Sequence, residues 1–199
     1  GVFRSDFMAA DALAESDGDV FLPNPEPGGP VEYILICMEP SLGRWARSAD
    51  EARSKVRAGF RNFLFSIEDF ILHFCARNYL CEPMEHYHIT DLSKGAMLVD
   101  RAGSSRYERY DRWYPLLQEE IDLVATPNAD IVAVGKAVSN YLERKAFRRS
   151  FIEIIHYSPQ AARARNAGIV GHEDEFRAFK NSVSLGDLIA TAEDVFRST

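Results

Sequence analysis

Ile34-Leu35-Ile36-Cys37-Met38-Glu39-Pro40-Ser41 is the stretch that decides the fold. Four apolar residues in a row read as a strand buried on both faces, the pattern of a parallel sheet. A carboxylate, a proline and a small hydroxyl residue follow without a spacer. Proline biases the residue before it to extended backbone and cannot continue a ladder, so the strand stops at Glu39. The carboxylate is then held at the strand's C-terminal edge, where open α/β sheets bind ligands. Read alone, Glu39 serves equally well as a solvated loop residue.

Upstream, residues 3–13 form a short amphipathic piece. Pro23-Asn24-Pro25-Glu26-Pro27-Gly28-Gly29-Pro30 excludes helix and central strand. Residues 1–30 are therefore expected as an extended acidic N-terminal arm, and residues 31–199 as a single α/β domain. Downstream, an irregular loop is expected at 42–50. A helical pattern follows over 51–79, with a break near Gly59. Its residues Phe60, Phe63, Leu64, Ile67, Phe70, Ile71 and Phe74 recur at spacings of three and four, one helix face. A second strand runs over 85–90 and ends in Asp91. A helix spans about 107–125. Asp130-Ile131-Val132-Ala133-Val134-Gly135 reads as a third strand, residues 136–145 as a helix, and Phe151-Ile152-Glu153-Ile154-Ile155-His156 as a fourth strand stopped by Ser158-Pro159. Gln160 opens a helix, and 174–197 reads as two amphipathic helices around Gly186. Strands alternating with helices predict a three-layer α/β/α fold with a central four-stranded parallel sheet.

Composition bounds the function. The chain has 199 residues and a net charge of −7. Residues 1–30 carry six acids and one base, and residues 166–199 six acids and three bases, whereas 31–165 carries 18 acids and 19 bases. The negative charge lies in the two ends, so the middle can present a basic face. Arginine clusters there include Arg101/Arg106/Arg109/Arg112 and Arg144/Lys145/Arg148/Arg149; each taken singly reads as a solvated helix face. No apolar run approaches the roughly 20 residues of a membrane span. Cys37, Cys75 and Cys81 form no C-x-x-C pair and no disulfide framework, which points to a reducing cytoplasm.

Three predicted strands end in polar groups: Glu39-Pro40, Thr90-Asp91 and His156-Tyr157-Ser158-Pro159. In a parallel sheet these ends share one edge, so two carboxylates and an imidazole converge on one crevice. The order of these pieces resembles the uracil-DNA glycosylase superfamily over residues 31–165. Cys37-Met38-Glu39-Pro40-Ser41 is similar to its first motif, an acid or amide beside a proline. Thr90-Asp91-Leu92-Ser93-Lys94 is similar to its middle segment, and His156-Tyr157-Ser158-Pro159 to its last, of His-x-Ser-Pro type. There are departures. Cys37 stands where the family usually has Gly, Asp91 where it has Asn, and Tyr157 where many members have Pro. The clustered cysteines of the iron–sulfur branches are absent, so no cofactor and no metal are expected.

The resemblance implies hydrolysis of the bond between a base and deoxyribose, leaving an abasic site, with DNA, single- or double-stranded, as the partner of a monomeric protein. Glu39 and His156 are the implied catalytic pair. Glu39 stabilises positive charge on the sugar and activates water, and His156 stabilises the departing base. Asp91, Phe63 and Met38 are the implied base-binding residues, with Phe63 as stacking ring and Phe60 as runner-up. Ser41, Ser158, Gln160, Arg163, Arg165 and Lys94 are the implied DNA contacts. An ionised Asp91 only accepts hydrogen bonds, which favours a cytosine-like base with an exocyclic amine over uracil; an N-cap for a helix starting at Leu92 accounts for it equally well. Two other functions stay open: a non-catalytic nucleic-acid or nucleotide-binding module on this fold, and a hydrolase for free nucleosides or nucleotides. DNA repair and defence against modified foreign DNA are both open as settings.

Overall fold

A computed structural model describes residues 2–43, 45–97 and 106–157, together with Ser184, Gly186 and residues 189–193. Helix α1 (Val2–Ser16) leads into β1 (Val20–Phe21), and β2 follows at Val31–Cys37. Next come α2 (Ala49–Arg57), α3 (Ile67–Cys75) with a π-helical turn at Ala76–Leu80, β3 (Tyr87–Asp91) and β4 (Gly95–Ala96). Then α4 (Arg106–Val124), β5 (Ala125–Val134), α5 (Lys136–Arg144) and β6 (Phe151–Ile154) complete the core.

Four strands form one sheet in the order β3-β2-β5-β6, every neighbouring pair parallel. Side chains alternate across a strand, so β2 and β5 each supply both faces. Ile34, Ile36, Ile131 and Ala133 pack with Tyr110, Leu117 and Ile121 of α4 and Val138, Tyr141 and Leu142 of α5. Leu35, Cys37, Val132 and Val134 pack on the other face with Leu72 of α3, Ala76 and Phe63. Helices on both faces explain why β2 and β5 read as unbroken apolar runs. The result is a mixed α/β architecture with a four-stranded parallel sheet between helical layers.

The expected helix over 51–79 is two helices separated by an irregular segment. Gly59 (φ 100°) stops α2, its N–H donating to Val56 O at 3.0 Å. Ser66 restarts the helix with a capping box, its hydroxyl accepting from Asp69 N while the Asp69 carboxylate accepts from Ser66 N. Phe60, Phe63 and Leu64 therefore leave the helix face on which their spacing puts them. Phe60 instead stacks on Trp45, with ring centroids 4.6 Å apart.

Among the described residues of the first thirty, helix or strand is absent over 17–19 and 22–30. Before the latter, Ala10 and Ala14 of α1 and Phe21 of β1 pack against Trp113 of α4, and β1 pairs antiparallel with β4. Ser158, Gln160, Arg163 and Arg165, and most of the two expected C-terminal helices, lie outside the described residues. Among the described residues no helix is long and apolar enough to cross a membrane.

Candidate active site at the sheet edge

Glu39 lies two residues beyond β2, and its side chain is only 6% exposed. Its Oε1 lies 3.0 Å from Arg106 Nη2 and 3.8 Å from Arg109 Nη2, and its Oε2 accepts from the Tyr110 hydroxyl. Those three residues start α4 at spacings of three and four, so one helix face delivers them all. Burial pushes the Glu39 carboxyl above the usual carboxylate range, against the pull of the two guanidiniums. The sequence put Arg106 and Arg109 in a solvated cluster. They turn inward because the end of β2 presents them with a buried acid.

Asp91 ends β3 opposite Cys37 of β2 and is fully enclosed. Its Oδ2 accepts from Asn62 Nδ2 at 2.6 Å. Burial drives its carboxyl well above the usual range, with the Lys94 ammonium opposing. The neutral acid so favoured can donate as well as accept. The N-cap role is not seen: Leu92 N donates to Cys37 O at 2.9 Å, and no helix begins there.

Behind Asp91 runs a chain of polar contacts that sequence reading missed. Asn62 Nδ2 also donates to Asn24 Oδ1 (3.2 Å), Asn24 Nδ2 to the Thr90 hydroxyl (3.1 Å), and that hydroxyl to Glu120 Oε2 (2.8 Å). Glu120 further holds Lys94 Nζ at 2.6 Å and His88 Nε2 at 2.9 Å. Lys94, expected on DNA, is thus buried and committed to Glu120. A cavity of about 60 Å³ lies at this end of the chain, lined in part by Asn24, His88, Lys94, Glu120 and Trp113.

The remaining expected residues divide between the two faces. Phe63 is buried on the α3 face with a left-handed backbone (φ 59°), and its carbonyl is held by His73 Nε2 at 3.1 Å. Met38 packs on the opposite face, against the α4/α5 cluster. The structure therefore does not bring these two base-binding candidates into one pocket. Ser41 is exposed and pairs with Met97 in an isolated bridge, and its carbonyl accepts from Trp45 Nε1 at 2.6 Å.

His156 lies two residues beyond β6, half-buried, and its ring stacks on Tyr157 at 4.7 Å. Gly135 makes room for it. A Cβ at Gly135 would fall 3.2 Å from His156 Cβ, and the Gly135 φ of 94° also disfavours any side chain. Tyr157 packs against the cluster that contains Cys37 and Phe63. Burial pushes its phenol far up, and the nearby Cys37, Asp69 and Asp91 add to the shift.

Glu39, Asp91 and His156 thus stand at or just past the C-terminal ends of three strands along one sheet edge. A carboxyl, an acid and an imidazole so placed can exchange protons with a ligand or orient a water. Among the described residues no group of three His, Cys, Asp or Glu side chains is placed to hold a metal ion. In comparisons with known proteins, no protein-family model matches the chain and no curated protein matches it.

Proposed function

We propose that the chain is a DNA glycosylase of the uracil-DNA glycosylase type, acting on a flipped uracil or modified pyrimidine. One observation carries the reading: three residues able to do acid–base or electrostatic work stand at the end of, or two residues past, three different strands of one parallel sheet, on its C-terminal edge. In the reaction the C1′–N bond breaks and its electron pair leaves with the base. A water oxygen bonds to C1′, and the water's proton passes to Glu39. For that step Glu39 must be ionised and must exchange its Tyr110 or Arg106 contact for the water. A neutral His156 donates to the base oxygen on which negative charge gathers. The base must leave the stack to reach such a site.

The base at Asp91 is set by its protonation. As a neutral acid, Asp91 offers one donor and one acceptor and suits uracil or cytosine edges; as an anion it suits an exocyclic amine. The three free thiols fit a reducing cytoplasm, with repair or defence against modified DNA as the setting.

The second reading, a non-catalytic nucleic-acid-binding module, is favoured by the occupancy of Glu39, since both of its oxygens already have partners. Labelled single- and double-stranded oligonucleotides containing uracil, mismatched thymine or modified cytosines separate the two. Alkali-labile abasic sites that vanish in Glu39→Gln and His156→Ala support the glycosylase. Binding without any abasic product supports the module, and an Asp91→Asn variant with unchanged base preference removes Asp91 from recognition.

A further inference from the structure

We propose that Arg109 and Arg106 form a phosphate-binding site beside Glu39, at the start of α4. This rests on the nucleic-acid reading above for its natural ligand, but not for its geometry. The Arg109 side chain is 8% exposed, and its Nε and Nη2 have no hydrogen-bond partner among the described residues; neither has Arg106 Nε. Buried donors without acceptors are rare and unfavourable, and a bound anion would satisfy them.

The identity of the two bare atoms matters. Nε and Nη2 make up the edge of a guanidinium from which two N–H bonds run parallel, the fork that fits two oxygens of a phosphate or carboxylate. The acid beside that fork is Glu39, and its Oε1 is 3.8 Å from Arg109 Nη2, beyond hydrogen-bond range. Arg106 already holds the same oxygen at 3.0 Å, and Tyr110 takes the other. One carboxylate therefore faces two guanidiniums and a phenol. Asp19 is an acid whose field also reaches Glu39, and the field of Glu39 reaches Asp91. Asp19 is buried against Gly95.

Arg106 is the member that reaches solvent, with a third of its side chain exposed. A phosphate entering there can place two oxygens on the Arg109 fork and a third on Arg106 Nε. Drawing Arg106 outward frees Glu39 Oε1 to accept from a water. Ligand binding and the release of the carboxylate are then one event, and the free protein keeps its acid capped.

Two measurements test this. The first follows the arginine Nε–H resonances of the unmutated chain by NMR, titrating inorganic phosphate against chloride at equal ionic strength. The Arg109 Nε–H signal is expected to shift with phosphate alone. The second measures anisotropy of a labelled single-stranded oligonucleotide without modified bases from 50 to 200 mM salt, for the unmutated chain, Arg109→Lys and Arg109→Gln. Losing one phosphate contact lowers the salt slope by about 0.7, so over that range the unmutated chain should lose roughly 2.6-fold more affinity than Arg109→Gln. Arg109→Lys keeps the charge without the fork and should bind more weakly than the unmutated chain. Phosphate shifts without oligonucleotide binding keep the site and overturn its nucleic-acid ligand. Oligonucleotide binding with an unmoved Arg109 signal and unchanged variants overturns the site and keeps the nucleic-acid reading. Neither response overturns both. If the variants do not fold, the resonance titration decides alone.

Discussion

Replacing Glu120 by Gln probes the buried polar chain at its most charged point. The carboxylate takes Lys94 Nζ at 2.6 Å, the Thr90 hydroxyl at 2.8 Å and His88 Nε2 at 2.9 Å. Burial pushes its pKa up, but the Lys94 ammonium and the bonds from His88 and Lys94 outweigh that and hold it down to about 2. A folded value below the ordinary 4.5 means stabilisation that is fully present above pH 4.5 and drains away as pH falls toward 2. The gap is worth about 3 kcal/mol. Gln keeps the shape but leaves the Lys94 ammonium enclosed without an anion, a change that costs roughly 3–5 kcal/mol when a buried pair is broken. Urea unfolding at pH 7, followed by circular dichroism, should show Glu120→Gln less stable by about 3 kcal/mol. The difference from the unmutated chain should shrink as pH is lowered from 4.5 toward 3. Asp91 pulls the other way, because its raised pKa favours the fold at low pH and loses that effect as pH rises; the Glu120 charge is one of the causes of that raised pKa, so Glu120→Gln also weakens this opposing contribution. Adding Lys94→Met should recover part of the loss by removing the stranded charge. A loss under about 1 kcal/mol, typical of an exposed pair, or a difference that does not change with pH, would refute the reasoning.

His73 is buried, which lowers its pKa to about 4. Its ring should show no titration by NMR between pH 8 and 5, and its contribution to stability should fall only as pH drops from 6.5 toward 4; a midpoint near 6.5 would contradict its burial, which outweighs the opposite effect of its bond to the Phe63 carbonyl. Gly135→Ala must adopt a left-handed backbone and crowds the imidazole, so it should cost about 1–2 kcal/mol and move the His156 ring signals; unmoved signals would separate Gly135 from His156. Asn62→Ala removes the donor to Asp91 and should cost about 1–3 kcal/mol in chemical denaturation. A neutral result would mean that Asp91 needs no partner.

Local signals carried much of this architecture. The Val31–Cys37 strand is legible from its apolar run and from Glu39-Pro40 at its end. The helices over 106–124 and 136–144 are legible from spacing, although Pro115 lies inside the first of them. The loop over 58–66 is not, because Phe60, Phe63 and Leu64 keep helical spacing while leaving the helix; Gly59 and the Ser66/Asp69 capping box are the signals that mark the interruption. The two-residue strand Val20–Phe21 has too little sequence to show a period. At the site, the strand-end positions of Glu39, Asp91 and His156 follow from strand patterning. Their partners do not, because Asn62, Asn24 and Glu120 meet Asp91 and Thr90 only through tertiary placement. Arg106, Arg109 and Tyr110 had a usable signal, one helix face opposite a strand-end acid, but spacing alone does not say which way that face turns.

The segment over 22–30 has a consequence for how the protein is made. Asn24 reaches Thr90 across 66 residues, and Val20 pairs with Ala96. Closing so long a loop is entropically unfavourable until the sheet exists to receive it. On the ribosome, the Asn24 amide emerges early and must wait for β3 and Gly95-Ala96 before it has a place to dock. Until then Asn62 lacks one of its supports, and the edge around Asp91 is unfinished. A chain in which this segment has come away keeps the strands of the sheet but lacks the Asn24 bonds to Asn62 and Thr90 beside Asp91.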